Sequence, residues 1–266
     1  GSAVMLAAPF LFPILFPLTW VCLIPLLWLI LRARLRQAFL VGLGTGVVMN
    51  LLGFYWLNYT IRVFGGFPHG ISEIVWLGFA VYSALPLALF SLLVRIYGLG
   101  PLGLFPAVFW VTIEFWFPLL FPWYLANTQI RFLTLIQSAD LVGPYGTSFI
   151  LVWVNTILYQ LGEALWARKK QLRLPMTEAA IITVILGALL VYGHLRLSTV
   201  AKEVDAAPAL TVAAVQGNIS IRTKGDITYL ESNLDSYKEL TSQIKGAQLV
   251  VWPESAVEAW VRFRQK

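Results

Sequence analysis

The sequence predicts an α-helical polytopic membrane bundle followed by the N-terminal part of an α/β domain. Three observations lead there. Of 266 residues, 59% are apolar and only 12% are charged, where a soluble domain carries about 25% charged residues. The apolar residues fall in long runs parted by short polar breaks, the pattern of membrane helices. Residues 198–266 abandon that pattern for short β-type runs around an amphipathic helical stretch.

The same numbers exclude other classes. High apolar content with a net charge of only +6 rules out disorder. A single cysteine, Cys22, cannot make an intramolecular disulfide, and the two histidines, His69 and His194, lie far apart. Neither a metal centre nor another cofactor is expected. The basic residues sit in small clusters between apolar runs rather than on one face of a polar domain. That distribution points to membrane lipids as partners and to no nucleic acid.

The membrane domain is expected over residues 1–197, with about seven apolar segments. The first, residues 3–15, is shorter than the roughly 20 residues a spanning helix needs, and reads as the end of a truncated helix. Further runs cover 18–31, 38–61, 72–96, 101–117, 145–167 and 177–197. Cys22 lies inside one of them and reads as a small buried hydrophobe. Gly42, Gly44 and Gly46 read as sites of close helix packing. Gly98, Gly100 and Gly103 spell a dinucleotide fingerprint, but they join two apolar runs and follow no strand, so a turn is expected. Glu114 lies near the end of a run, where pairing with Arg131 or lipid headgroups is favoured over a functional role. Phe121, Trp123 and Tyr124 read as interface aromatics, with a part in shaping a substrate cleft as the sharper alternative.

Orientation follows from charge. Arg32, Arg34 and Arg36, then Arg95, then Arg168, Lys169, Lys170 and Arg173 occupy alternate loops. All three loops therefore share one side, expected to be the cytoplasm. Counting on, residues 198–266 fall on the opposite side. There Leu210–Val215 reads as a strand, 226–245 as a helix, and 248–252 as a second, buried-type strand stopped by Pro253. Glu254 follows that strand directly, where α/β sheets present functional side chains. Partly desolvated beside Trp252, it could serve as a general base; the plainer reading is an exposed, loop-opening glutamate.

Four stretches carry a family resemblance: FYWLNYTIRVFGGFP (54–68), FPWYLANTQ (121–129), ADLVGPYGTSFILVWVN (139–155), and VAAVQGNI (212–219) followed by LVVWPESA (249–256). In this order they resemble the apolipoprotein N-acyltransferase family, bacterial enzymes with a membrane bundle and a nitrilase-like αββα domain. The resemblance implies an inner-membrane, multi-pass protein whose C-terminal part, 198–266, is an incomplete periplasmic domain. It implies a Glu–Lys–Cys triad with Glu254 as the general base, a phospholipid acyl donor and a diacylated lipoprotein acceptor. The family's Lys and Cys match no position through Lys266, and neither Lys245 nor Lys266 stands in for one. The chain alone is thus expected to be inactive. Two family residues are replaced, a Trp by Gly225 and a Gly by Leu120, which points to altered substrate handling. The alternative is a non-catalytic membrane scaffold of the same fold that partners a polyprenol-phosphate mannosyltransferase. A transporter finds no support, because no inverted repeat is visible.

Overall fold

The structure, a computed structural model, describes residues 1–166, 173–220, 223–224 and 226–256. It divides into two compact units, Gly1–Lys202 and Glu203–Lys266.

Prolines shape the start of the first unit. Helix α1 (Ser2–Leu11) gives way to a 3-10 stretch, Pro13–Trp20, and then to α2 (Ile24–Ile30). Pro13, Pro17 and Pro25 lack the amide hydrogen a continuous α-helix requires, so the segment is built in short pieces. Leu23, Leu26, Leu27 and Ile30 are fully buried and fix α2 in the core. Two polar side chains from distant segments close the breaks. Asn155 accepts the Leu23 N–H at 2.8 Å and donates to the Thr19 carbonyl at 2.9 Å. Gln129 accepts from the Trp20 ring at 3.1 Å and donates to the Phe16 carbonyl at 3.2 Å. Each thereby bonds a backbone or ring group at a break in the segment. Cys22 is buried here, as a small hydrophobe would be.

Helix α3 (Leu35–Gly53) packs along α5 (Ile71–Tyr97). Small residues allow the approach: a Cβ on Gly46 would fall on the backbone of Ala84, and one on Gly42 would meet Leu87 and Ser91. Gly44 faces open space, so the packing role belongs to Gly42 and Gly46. The predicted run 38–61 is two helices. The chain breaks at Phe54, whose carbonyl accepts the Trp76 ring N–H at 2.9 Å, and α4 (Trp56–Phe64) starts afresh. The same carbonyl also accepts the Leu57 N–H at 3.0 Å, so the break is satisfied both locally and from α5.

The glycine-rich link after α5 is a turn: Gly98, Gly100 and Gly103 all have positive φ, and a Cβ on Gly100 would collide with the Phe105 ring. It leads into α6 (Phe105–Trp116), followed by an extended arm, a 3-10 turn at Leu125–Gln129 and the short α7 (Leu133–Ile136). Then come α8 (Ala139–Trp166), bent at Gly143, and α9 (Arg173–Ala206). Helix α9 runs past the predicted end at 197. Arg168, Lys169 and Lys170 lie outside the described residues. Among the described residues, five helical segments are long and apolar enough to cross a membrane: Pro13–Ile30, Leu35–Gly53, Ile71–Tyr97, Ala139–Trp166 and Met176–Ala206. Large apolar side chains such as Ile74, Val184 and Val191 face outward. In water so much exposed apolar surface would be costly; in hydrocarbon it is expected.

In the second unit, β1 (Val212–Ala214) pairs in parallel with β2 (Leu249–Val251), in register Val212↔Leu249, with α10 (Leu230–Ser242) between them in sequence. Strand, helix, strand is the predicted order with narrower limits. The Gln248 and Leu249 amides both donate to the Thr211 carbonyl, which closes the ladder at that end. Asp226 accepts from the Thr228 N–H at 2.9 Å and its hydroxyl at 2.7 Å, starting the 3-10 turn before α10. These bonds favour the ionised form and hold the Asp226 carboxyl below its ordinary value. Val215, Tyr237 and Ala256 form a small core, joined by Ile219, Ile244 and Trp252. Of the predicted apolar stripe on 226–245, Tyr237 alone is fully buried; Ile227 sits in the 3-10 turn, 84% exposed. Trp252 packs on α10. Its ring lies 5.3 Å from Tyr237 and donates to the Thr241 hydroxyl at 2.9 Å. Val250 and Val251, in a run that reads as a buried-type strand, are exposed here.

Candidate functional site

Two places gather the residues singled out in the sequence, one in each unit. The first is the arm between α6 and the 3-10 turn at Leu125. Glu114, one turn from the end of α6, accepts the Leu125 N–H at 2.8 Å and the Trp110 ring N–H at 3.3 Å. The expected partner Arg131 is not engaged; the carboxylate ties the arm's return to the helix that launches it. The correction has a plain cause, since a backbone N–H leaves no trace in the sequence. Trp123 is 8% exposed, so it is a core residue and not a lipid-facing anchor. Its edge meets Phe10, ring centroids 5.5 Å apart, and its buried ring N–H has no partner among the described residues. A small hollow with room for only about 20 Å³ lies on one side, lined by Leu87, Phe90, Trp110 and Glu114. A larger cavity, of about 190 Å³, lies between Trp123, Phe10, Met49, Phe54 and Trp56.

Phe121 joins an aromatic cluster with Phe54, Trp56 and Phe79, at centroid distances of 6.3, 6.2 and 5.7 Å. Tyr124 stands 5.3 Å from Tyr145, edge to face. Phe54, Trp56, Trp110 and Tyr145 were not singled out from the sequence. The signal for three of them was available, because they lie inside or at the edge of the stretches 54–68 and 139–155.

The second place is the loop after β2. Glu254 is exposed in a turn at the carboxyl end of the parallel pair. The desolvating contact with Trp252 expected from sequence is not made, because the indole is turned onto Tyr237. Beside it, Lys224 donates to the Ser255 hydroxyl at 2.6 Å. A small hollow there is lined by Ile219, Lys224, Asn233, Tyr237 and Ser255. Gly225 lies outside the described residues, as does Lys266. Among the described residues, no group of three or more His, Cys, Asp or Glu side chains could hold a metal ion.

Residues 2–157 match the family described as the apolipoprotein N-acyltransferase N-terminal domain. The chain belongs to the apolipoprotein N-acyltransferase family. A relative of that name from Geobacter metallireducens is 33% identical over 265 residues, covering 96% of this chain and 50% of the relative. Others from Haemophilus influenzae and Pasteurella multocida are 32% and 29% identical, covering 91% and 85% of this chain. The chain spans about half the length of the curated relatives it matches. With five apolar helices and bacterial relatives, it is an integral membrane protein of bacterial type.

Membership gives the arm its context. The stretches that carry the resemblance, 54–68, 121–129 and 139–155, are far apart in the chain and meet in space through Phe121 on Phe54 and Tyr124 on Tyr145. Two of them end on Gln129 and Asn155, the residues that secure the proline-broken N-terminal segment.

Proposed function

We propose that this chain is the membrane domain and the opening of the catalytic domain of a phospholipid-dependent N-acyltransferase, acting on the amino terminus of diacylated lipoproteins. The observation that carries the reading is the β1–α10–β2 unit, which sets Glu254 at the carboxyl end of a parallel strand pair, in a chain whose first 157 residues match the family. Glu254 accepts the proton of a cysteine thiol. The thiolate attacks the phospholipid ester carbonyl, a thioester forms, and lysophospholipid leaves. The lipoprotein α-amine then attacks the thioester and takes the acyl group, while a lysine stabilises each oxyanion. No lysine or cysteine within residues 1–266 takes these two roles, so the chain by itself turns over no substrate.

The same reading gives the arm a role in holding the acyl chain. Trp123 separates two largely apolar cavities, and Phe121 and Tyr124 extend the aromatic wall. The loop charges support a periplasmic position for residues 198–266, and the family resemblance supports the inner membrane. The test is acyl transfer from phospholipid to a diacylated lipopeptide by the product of the intact gene. Wild-type protein transfers, and Glu254→Gln abolishes transfer without altering expression. Absence of transfer by the wild type, with co-purification of a polyprenol-phosphate mannosyltransferase, would favour the scaffold reading.

A further inference from the structure

A cleft remains that the acyltransferase reading does not use. It opens outward between α2 and α8 and holds about 920 Å³ of empty space, counting its mouth. At its polar end, Arg32 pairs with Glu163 and bonds to the Tyr159 hydroxyl at 3.2 Å. The guanidinium lies over the Trp28 ring at 4.8 Å. Trp166, 90% exposed, and Trp28, 50% exposed, flank the opening. Deeper along the helices the lining turns apolar, with Ile24 one turn beyond Trp28 and Leu158 two turns before Trp166.

We propose that this cleft binds one membrane phospholipid with a zwitterionic, primary-amine headgroup, phosphoethanolamine in chemistry. Four features select that occupant. Exposed tryptophans at the ends of apolar helices mark headgroup depth, and the apolar floor continues toward the hydrocarbon as an acyl chain does. The headgroup's two charges match the pair that the cleft presents. Arg32 spends both Nη1 hydrogens on Trp28 and Tyr159 and one Nη2 hydrogen on Glu163, which leaves two of its five N–H groups for a phosphate oxygen. Glu163 has a second oxygen free among the described residues to accept from an ammonium, and exposed tryptophan faces attract the same cation. An anionic glycerol headgroup brings no cation to the second Glu163 oxygen and adds a negative charge beside the Arg32–Glu163 pair. A choline headgroup lacks N–H donors for the carboxylate.

The site needs only the membrane bundle and is independent of Glu254 chemistry. Its test is native mass spectrometry of the purified chain in micelles, titrated with phosphatidylethanolamine, phosphatidylglycerol or phosphatidylcholine of identical acyl chains. We expect one tightly held phosphatidylethanolamine, preferred about tenfold over either other lipid, as one charge-assisted bond provides. Arg32→Gln should lose binding of all three. Glu163→Gln should keep a bound lipid but reverse the preference toward phosphatidylglycerol, a change that mere loosening of the helices would not produce. Circular dichroism confirms that each variant keeps its helices, and Glu163→Asp, which keeps the charge, should retain the original preference. Equal binding of the three lipids, or a phosphatidylethanolamine preference that survives both Arg32→Gln and Glu163→Gln, overturns the proposal.

Discussion

Glu114 illustrates how a single buried carboxylate can organise an arm of irregular backbone. Leu125 and Trp110 both donate to it, so Glu114→Ala strands two donors away from water. A loss of about 1–3 kcal/mol per unsatisfied group is usual, and thermal unfolding of the purified chain in detergent should show a clear fall in midpoint. Glu114→Gln keeps a carbonyl acceptor and should lose less. Asp226 offers a pH test. Its carboxyl is held below the ordinary value of 3.8 by the Thr228 bonds, so its contribution is fully present above that pH. The contribution disappears as pH falls through the lower folded value. The protection factor of the Thr228 amide, which removes the intrinsic pH dependence of exchange, should therefore fall below about pH 4, and Asp226→Asn should flatten that dependence. At this scale the sequence was only partly legible. Glu254 stood out because it follows an apolar strand and matches a family stretch. The partner of Glu114 did not, since a carboxylate that seeks backbone N–H groups looks in sequence like one that seeks an arginine.

Among the elements, the α3–α5 contact is the most sequence-encoded. Gly46 lies against Ala84 while Gly44 faces open space. Gly46→Leu should cost about 1–3 kcal/mol through overpacking, whereas Gly44→Ala should be neutral or gain up to about 1 kcal/mol in helix propensity. Thermal unfolding of the two variants side by side checks the asymmetry. The break between α3 and α4 was not legible, because nothing local in 38–61 interrupts the apolar run. One of its two bonds at the Phe54 carbonyl comes from the Trp76 ring on another helix, a long-range contact that the sequence does not display. Conversely, β1, α10 and β2 were legible in order, since alternation and helical spacing are local signals, while their limits depend on pairing across the ladder. Trp123 was recognised, as an interface aromatic or, in the sharper reading, as part of a substrate cleft; its burial against Phe10 is a long-range contact that the sequence does not display. If the cavities beside Trp123 take the donor's acyl chain, Trp123→Ala in the intact protein should raise KM for phospholipid more than it lowers kcat.

For the whole molecule, composition pointed to the class, and alternate basic loops predict an orientation. In a Cys22→Ser background, a cysteine at Arg36 should be shielded from a membrane-impermeant thiol reagent in intact cells, and one at Lys238 should react. The reverse pattern would invert the topology. The account's central claim is that Glu254, delivered by β2, is the base of a thioester acyl transfer that this chain houses only in part. Its most direct test is transfer of a fluorescent acyl chain from phospholipid to a diacylated lipopeptide, measured for residues 1–266 alone, for the product of the intact gene, and for its Glu254→Gln variant. The account predicts no transfer by residues 1–266, transfer by the intact protein, and a loss of about 10⁴-fold or more in the variant, as when a member of a catalytic triad is removed. Transfer by residues 1–266 that survives Cys22→Ser, or undiminished transfer by the Glu254→Gln variant, would contradict it.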